Sequence, residues 1–168
     1  MIKVTVCGAC GETGRRLIEL ISQDKELKLM FAIEEKNHHR IGKTINIGDH
    51  VVMDNLGEII NETDVVVDFG DFSKTGLEHL ATAAYDGKAI IIGNANTKNS
   101  ILPEINAIKY LIDGRIPCVI VSPITTNKGI PASPSCIRDV IAAIKWIVGK
   151  PAKLYDMQDI LAAECFRN

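Results

Sequence analysis

The sequence predicts an α/β fold of the Rossmann type, a doubly wound parallel sheet in a single domain. Apolar runs rich in β-branched residues, such as residues 65–69 and 88–92, alternate with stretches of helical periodicity. Continuous apolar strands between helices are typical of a parallel sheet covered on both faces. Three glycines, Gly8, Gly11 and Gly14, also stand between the first strand and the first helix, where such folds carry a glycine-rich turn. The 168 residues suffice for one domain with its own core.

The elements of the first half follow from the spacing of apolar residues. The first helix follows the glycines and presents Leu17 and Ile21 on one side. The second strand ends at the acidic pair Glu34-Glu35, and the polar residues 36–49 are predicted as a loop. The predicted strands of this half are residues 2–6, 27–33, 51–53 and 65–69, and a brief helix is predicted at residues 56–60.

Capping residues set the boundaries in the next part of the chain. Ser73 is predicted as the N-cap of a helix that extends to about residue 85, and Ser100 as the N-cap of the following helix. A strand at residues 88–92 lies between these helices, and a strand at residues 118–121 follows them.

The alternation of strands and helices stops at Ser122. Residues 123–134 contain three prolines and a glycine, which predict a loop. A helix at residues 136–148, stopped by Gly149, and a short helix at residues 156–163 are predicted to close the chain. The single domain therefore divides into a Rossmann core (1–122), a loop (123–134) and closing helices (135–168).

Composition excludes several classes of partner. The net charge of −2 and the isoelectric point near 6.1 leave no basic surface for nucleic acid or an anionic membrane. No apolar run approaches the roughly 20 residues of a membrane span, and the chain enters a strand at once, so no signal peptide is expected. Five cysteines without scaffold-like spacing predict reduced thiols and a cytoplasmic location.

The glycine-rich turn predicts a site for the dinucleotide NAD(P)H. Glycines let the backbone approach a diphosphate closely, and the helix N-terminus behind them offers free N–H groups and partial positive charge. The alternative is a glycine-rich turn that binds nothing. The predicted diphosphate-binding residues are Gly8, Gly11, Glu12, Thr13 and Gly14, and Cys10 in the same turn is also predicted to bind the cofactor.

The end of the second strand predicts the ribose-binding group. Glu34 stands about 20 residues beyond the glycines, where an acidic residue binds the adenosine ribose hydroxyls. Lys36 and Arg40 are candidates for holding the 2′-phosphate of NADP, whereas Glu35 would repel it, so the choice between NAD and NADP stays open. The alternative for Glu34 is a solvated acid at a strand end.

The carboxyl ends of the later strands complete the predicted crevice. Gly93 would let the backbone approach a nicotinamide ring. The predicted cofactor-binding residues at these ends are Phe69, Gly70, Gly93, Asn94, Ala95 and Ser122. No residue in these loops has the partners of a nucleophile or a general acid, so no catalytic residue is assigned.

Two further motifs give weaker support for redox chemistry and for metal binding. Cys7 and Cys10 form a C-x-x-C pair, which can signal redox chemistry, and a thiol at a helix N-terminus is acidified. Packing of two small residues explains the same pair better. The pair His38-His39 has no patterned partner nearby, so no metal site is predicted.

These motifs together resemble the dihydrodipicolinate reductases of lysine biosynthesis. The run Gly8-Ala9-Cys10-Gly11-x-x-Gly14-Arg15 is similar to that family's phosphate loop, and Ala32-Ile33-Glu34 to its ribose-binding strand end. Val67-Asp68-Phe69 resembles the next nucleotide-contacting turn, and residues 145–161 resemble the family's closing helix and tail. The resemblance implies an NAD(P)H-dependent oxidoreductase that forms homo-oligomers.

The family's middle domain has no counterpart here. In the family that domain supplies substrate binding, catalysis and tetramer contacts, and its signature is a His-His pair followed by Lys and an Asp-Ala-Pro-Ser-Gly run. Residues 123–134 stand in its place, and His38-His39 lies elsewhere. The family's Gly-Thr-Thr loop has become Gly93-Asn94-Ala95.

Three functions therefore stay open. The chain is a small NAD(P)H-dependent reductase of an unidentified small-molecule substrate, a nucleotide-binding module without catalysis that acts as a sensor or partner subunit, or a domain that binds nothing strongly. The intact cofactor motifs disfavour the third possibility.

Overall fold

The structure, a computed structural model, describes residues 1–45, 47–70, 74–93, 109–110, 112–121 and 134–160. Its centre is a seven-stranded sheet in the order β3-β2-β1-β4-β5-β6-β7, in which every neighbouring pair is parallel. The strands are β1 (Ile2–Cys7), β2 (Leu27–Ile33), β3 (Val52–Met53), β4 (Val65–Asp68), β5 (Ala89–Ile92), β6 (Cys118–Ile120) and β7 (Leu154–Asp156). The described helices are α1 (Glu12–Gln23), α2 (Leu56–Ile59), α3 (Lys74–Tyr85) and α4 (Pro134–Ile147), with a 3-10 turn at Ile60–Glu62. The doubly wound parallel fold predicted from the sequence is confirmed.

Alternating side chains of the strands fill two separate cores. In β4, Val65 and Val67 join the cluster that α1 and α4 cover, whereas Val66 joins the cluster that α2 and α3 cover. Since successive strand residues point to opposite faces, an unbroken apolar strand requires helices on both sides. Ile90 and Ile91 of β5 divide between the two cores in the same way.

The strand order places a crevice between β1 and β4. From β1 the chain winds outward to β2 and β3, then crosses back to β4 on the other side of β1. The crevice at the carboxyl ends of the strands, where this order reverses, is the usual ligand site of doubly wound sheets.

The C-terminal part contains a strand that the sequence analysis did not predict. Only helices were expected after residue 135, and a helix was expected to begin at residue 156. Instead, Leu154–Asp156 forms β7 beside β6, and residues 157–160 are helical. Three residues are too few to show periodicity, so pairing with the edge strand β6 decides their conformation.

Side-chain contacts fasten the closing segment to the sheet. The Lys145 ammonium pairs with Asp24 at 2.7 Å and with Glu26, and the hydrogen bond that it donates to Asp24 raises the pKa of Lys145. Trp146 of α4 packs edge-on against Tyr155 of β7, with ring centroids 4.9 Å apart. The described residues 134–160 therefore pack onto the sheet.

Several predicted boundaries can be compared directly with the structure. The first helix begins at Glu12, inside the glycine motif. The predicted stop at Gly149 is confirmed, since α4 ends at Ile147 and Gly149 has a φ of +77°. Of the helix predicted after Ser100, residues 109, 110 and 112 are described, and they are helical. Of the loop predicted at residues 123–134, only Pro134 is described, and it belongs to α4 instead. Within the described ranges, no helix combines the length and apolar character needed to cross a membrane.

Candidate functional site: the crevice between β1 and β4

The turn between β1 and α1 is built around Gly8 and Gly14. Gly8 has a φ of +71°, the left-handed region that favours glycine. A Cβ atom at Gly14 would collide with the Gly8 carbonyl oxygen and lie 2.9 Å from the Cα atom of Ala9. The conformation of the turn itself therefore requires these two glycines.

Gly11, the middle glycine, is not required by the turn. It is exposed, and its φ of −66° and ψ of 164° are extended values that any residue adopts. A Cβ atom there would make only an ordinary contact, 3.4 Å from the Gly8 carbonyl oxygen. The absence of a side chain at Gly11 thus keeps the surface in front of α1 open to a close-approaching molecule.

The N-terminus of α1 lies directly behind Gly11, its N-cap residue. The amides that open a helix have no carbonyl partner in a preceding turn, and Gly11 provides no capping side chain. The loop is held by hydrogen bonds from the Ala9 amide to Ile33 and from the Gly11 amide to Gly8. The first-turn amides of Glu12 and Thr13, with the helix dipole, suit an anion.

Glu34 is fixed against this loop. It follows β2, is only 9% exposed, and accepts a hydrogen bond of 2.6 Å from the Cys10 amide. The Glu35 amide lies 3.4 Å from its other carboxylate oxygen. The structure thus brings Glu34 and the glycine turn together, as their order in the sequence predicted.

The wall of the crevice opposite Glu34 contains a hydrogen-bonded pair, the buried Asp68 and the largely buried His79. Asp68 ends β4, is 3% exposed, and accepts a 2.7 Å hydrogen bond from the Gly70 amide. Its second oxygen lies 2.9 Å from Nδ1 of His79 on α3. The Gly8 turn packs against this wall, since a Cβ atom at Gly8 would lie 3.2 Å from the Gly70 nitrogen.

The sequence analysis assigned no role to this pair. A carboxylate at the end of the otherwise apolar β4 was the signal that could have found Asp68. Its partner is a histidine eleven residues later, which only the packing of α3 on β4 brings close.

Two adjoining cavities occupy the crevice. The larger, about 220 Å³, lies beyond the ends of β2 and β3, and the smaller, about 50 Å³, reaches Gly8 and Gly70. Glu34, Glu35 and His79 line both. The exposed Lys36 lines the larger cavity, so four predicted site residues (Gly8, Glu34, Lys36 and Gly70) face this connected space.

The two cysteines of the C-x-x-C pair are poorly suited to redox chemistry. Burial raises the pKa of the Cys7 thiol well above its usual range, and the charges of Asp68 and Glu34 add to the shift. Burial and Glu34 also raise the pKa of the Cys10 thiol, although Arg40 and Arg15 oppose the shift. The general expectation of an acidified thiol at this helix N-terminus is therefore wrong for Cys10, and the shifts at both cysteines disfavour the reactive thiolate.

Three residues with potential metal-binding atoms lie beside the crevice. Ligand atoms of Cys7, Asp68 and His79 lie within 4.8 Å of one another. Both oxygens of Asp68 already accept hydrogen bonds, and burial raises the pKa of the Cys7 thiol, which disfavours the thiolate that binds metals. His38 and His39 pack on each other, with ring centroids 4.5 Å apart, in the loop that follows β2.

The remaining predicted residues divide between the buried core and the undescribed segments. The Phe69 ring is 8% exposed, and a Cβ atom at Gly93 would collide with it. Packing against Phe69 is thus a structural reason for a glycine at position 93, in addition to the predicted close approach of a nicotinamide ring to its backbone. Asn94, Ala95 and Ser122 lie outside the described residues.

Comparison with known proteins matches this domain to one family. The family model for the N-terminus of dihydrodipicolinate reductase matches residues 2–123. The 4-hydroxy-tetrahydrodipicolinate reductase of Syntrophobacter fumaroxidans is 30% identical over 126 residues, which cover 71% of this chain and 45% of the relative. The enzyme of the same name from Methanocaldococcus jannaschii is 36% identical over 103 residues, covering 55% and 37%. The chain thus spans less than half the length of these curated relatives.

Solved structures share the fold at low sequence identity. A dihydrodipicolinate reductase from Paenisporosarcina sp. TG-14 with bound dipicolinate superposes with a TM-score of 0.58 at 16% identity, covering 72% of this chain and 47% of that one. A UDP-glucuronic acid 4-epimerase from Bacillus cereus gives a TM-score of 0.61 at 14% identity, covering 93% and 77%.

The family match and the site coincide. The matched residues 2–123 include the glycine turn, Glu34 and the Asp68–His79 wall. The N-terminal domain of this family binds NAD(P)H, and its glycine turn and acidic strand end are the groups that a dinucleotide requires. This chain therefore belongs to the dihydrodipicolinate reductase family through its N-terminal, NAD(P)H-binding domain.

Proposed function

We propose that the chain binds NAD(P)H across the crevice between β1 and β4. The diphosphate contacts the first-turn amides of α1, and the adenosine ribose contacts Glu34. The observation at Gly11 supports this proposal best. The protein itself leaves room for a side chain at this position, so the glycine is explained by a ligand that approaches the backbone there. The proposed contact residues are Gly8, Cys10, Gly11, Glu12, Thr13, Gly14, Glu34, Lys36, Phe69, Gly70, Gly93, Asn94, Ala95 and Ser122.

The proposed chemistry is reduction of a small molecule, as in the 4-hydroxy-tetrahydrodipicolinate reductases of lysine biosynthesis. When bound, the reduced nicotinamide supplies a hydride. The chain's own residues hold the two phosphates and the ribose, and so fix where the ring lies. Reduced thiols favour the cytoplasm as its location. We propose a homo-oligomer as well, whose contacts would have to differ from those that the family's middle domain provides.

A non-catalytic nucleotide-binding module is the second candidate. Only residues 122–133 separate Val121, which follows β6, from the start of α4. We propose that this short segment stands in place of the family's middle domain, since twelve residues cannot fold into a substrate domain. The cationic group for a dicarboxylate substrate would then have to come from Lys98, Lys128 or another chain.

An assay of reductase activity distinguishes the reductase from the non-catalytic nucleotide-binding module. We expect the purified chain to bind NAD(P)H but to reduce 4-hydroxy-tetrahydrodipicolinate slowly or not at all, because a substrate dicarboxylate needs a cationic clamp and a positioned acid. The measurement is the decay of NADH absorbance with substrate, with a full-length family reductase as positive control. Turnover comparable to that control would contradict the expectation and show that this chain provides the missing groups.

A further inference from the structure

We propose that the crevice beside Glu34 selects NADH over NADPH. The inference rests on the proposed function and concerns the adenosine end of the same site. The two cofactors differ only by a phosphate on the 2′-oxygen of the adenosine ribose, so selection depends on the groups around that oxygen.

The carboxylate of Glu34 is held beside the proposed ribose position. It is 9% exposed, lies between the glycine turn and the cavities, and is held by the Cys10 amide at 2.6 Å. A ribose hydroxyl donates a hydrogen bond to such a carboxylate. A 2′-phosphate carries about −1.5 to −2 charges at pH 7, offers no donor when fully ionised, and is repelled.

The remaining walls of the larger cavity add negative charge. Glu35, Asp54 and Glu78 line it together with Glu34, against one lysine, Lys36. The one lining histidine, His79, is hydrogen-bonded to the carboxylate of Asp68. Within the described residues, the lining of the cavity is thus predominantly acidic.

Two arginines lie nearby but line neither cavity. Arg15 and Arg40 are close enough to Cys10 for their charges to act on its thiol, and Arg40 donates a hydrogen bond to the Thr44 carbonyl at 3.2 Å. They are absent from the described linings of both cavities. Their charges therefore act near the turn, where the diphosphate common to NADH and NADPH lies.

Calorimetric titration of the whole chain with NADH and with NADPH tests the inference. We expect NADH to bind at least about tenfold more tightly at low salt, and the ratio to fall as added salt screens the repulsion. The variant Glu35→Arg, at an exposed position, should bind NADPH at least about tenfold more tightly than the wild type and should gain more affinity for NADPH than for NADH. Glu62→Arg, the same charge change on an exposed residue outside both cavities, should leave the ratio unchanged.

The outcomes separate this inference from the proposed function. Equal affinities, or tighter binding of NADPH by the wild type, would overturn the selection while cofactor binding stands. An unchanged NADPH constant in Glu35→Arg would also overturn it. Failure of the wild type to bind either cofactor would refute the proposed function, and with it this inference.

Discussion

Replacing Gly11 by valine is expected to abolish NAD(P)H binding and leave the fold intact. The valine side chain would stand between the diphosphate and the N-terminus of α1. Loss of two charge-assisted hydrogen bonds, each contributing about 1.5–3 kcal/mol, weakens binding by at least roughly 100-fold. Calorimetric titration with NADH measures the loss. The apo melting temperature should change little, since φ and ψ at Gly11 suit any residue and its neighbours leave room.

A control variant places a valine side chain elsewhere. Ala81 is exposed on α3 and lines neither crevice cavity, so Ala81→Val should bind NADH like the wild type. If Gly11→Val also bound NADH with wild-type affinity, the diphosphate would not lie against this turn.

Replacing Gly14 by alanine is expected to destabilise the protein strongly. Alanine in place of glycine normally stabilises a helix by about 1 kcal/mol. Here the new Cβ atom would collide with the Gly8 carbonyl oxygen and approach the Ala9 Cα atom. Because both neighbours are backbone, relief requires α1 to shift from the sheet. We expect a loss of about 3 kcal/mol in the free energy of unfolding, or roughly 6–12 °C in melting temperature.

Gly57 provides the control for this substitution. It also lies in the first turn of a helix, α2, and a Cβ atom there would make only an ordinary contact with the Asn55 side chain at 3.4 Å. Urea unfolding should therefore show Gly57→Ala as stable as the wild type or slightly more so. Equal stability of Gly14→Ala and the wild type would mean that the turn is less tightly packed than the structure shows.

The parts of the fold that the sequence predicted are those with a strong local signal. Strands such as β4 and β5 are continuous apolar runs, and α4 has a clear apolar face with Gly149 beyond its end. A parallel sheet with helices on both faces follows from such alternation alone.

The parts that were missed depend on contacts between distant residues. Strand β7 is three residues long and is specified by pairing with β6. The Asp68–His79 pair needs α3 to pack on β4. The raised pKa of Cys10 also depends on Glu34, which lies 24 residues away in the chain.

The glycine motif shows why sequence spacing alone left the binding site undecided. All three glycines fit the same pattern, yet Gly8 and Gly14 are needed by the turn itself. Only Gly11 has no structural requirement of its own, and only the local geometry distinguishes it. The case for a ligand therefore rests on one glycine of the three, together with the family relationship.

A titration with NADH followed by ¹H–¹⁵N NMR tests the central claim most directly, because each backbone amide reports its own contact. We expect the largest saturable shifts at the amides of Gly11, Glu12 and Thr13, with further shifts at Cys10 and Glu34. Saturable shifts confined to other parts of the chain, or no shifts with millimolar NADH, would contradict binding at the crevice between β1 and β4.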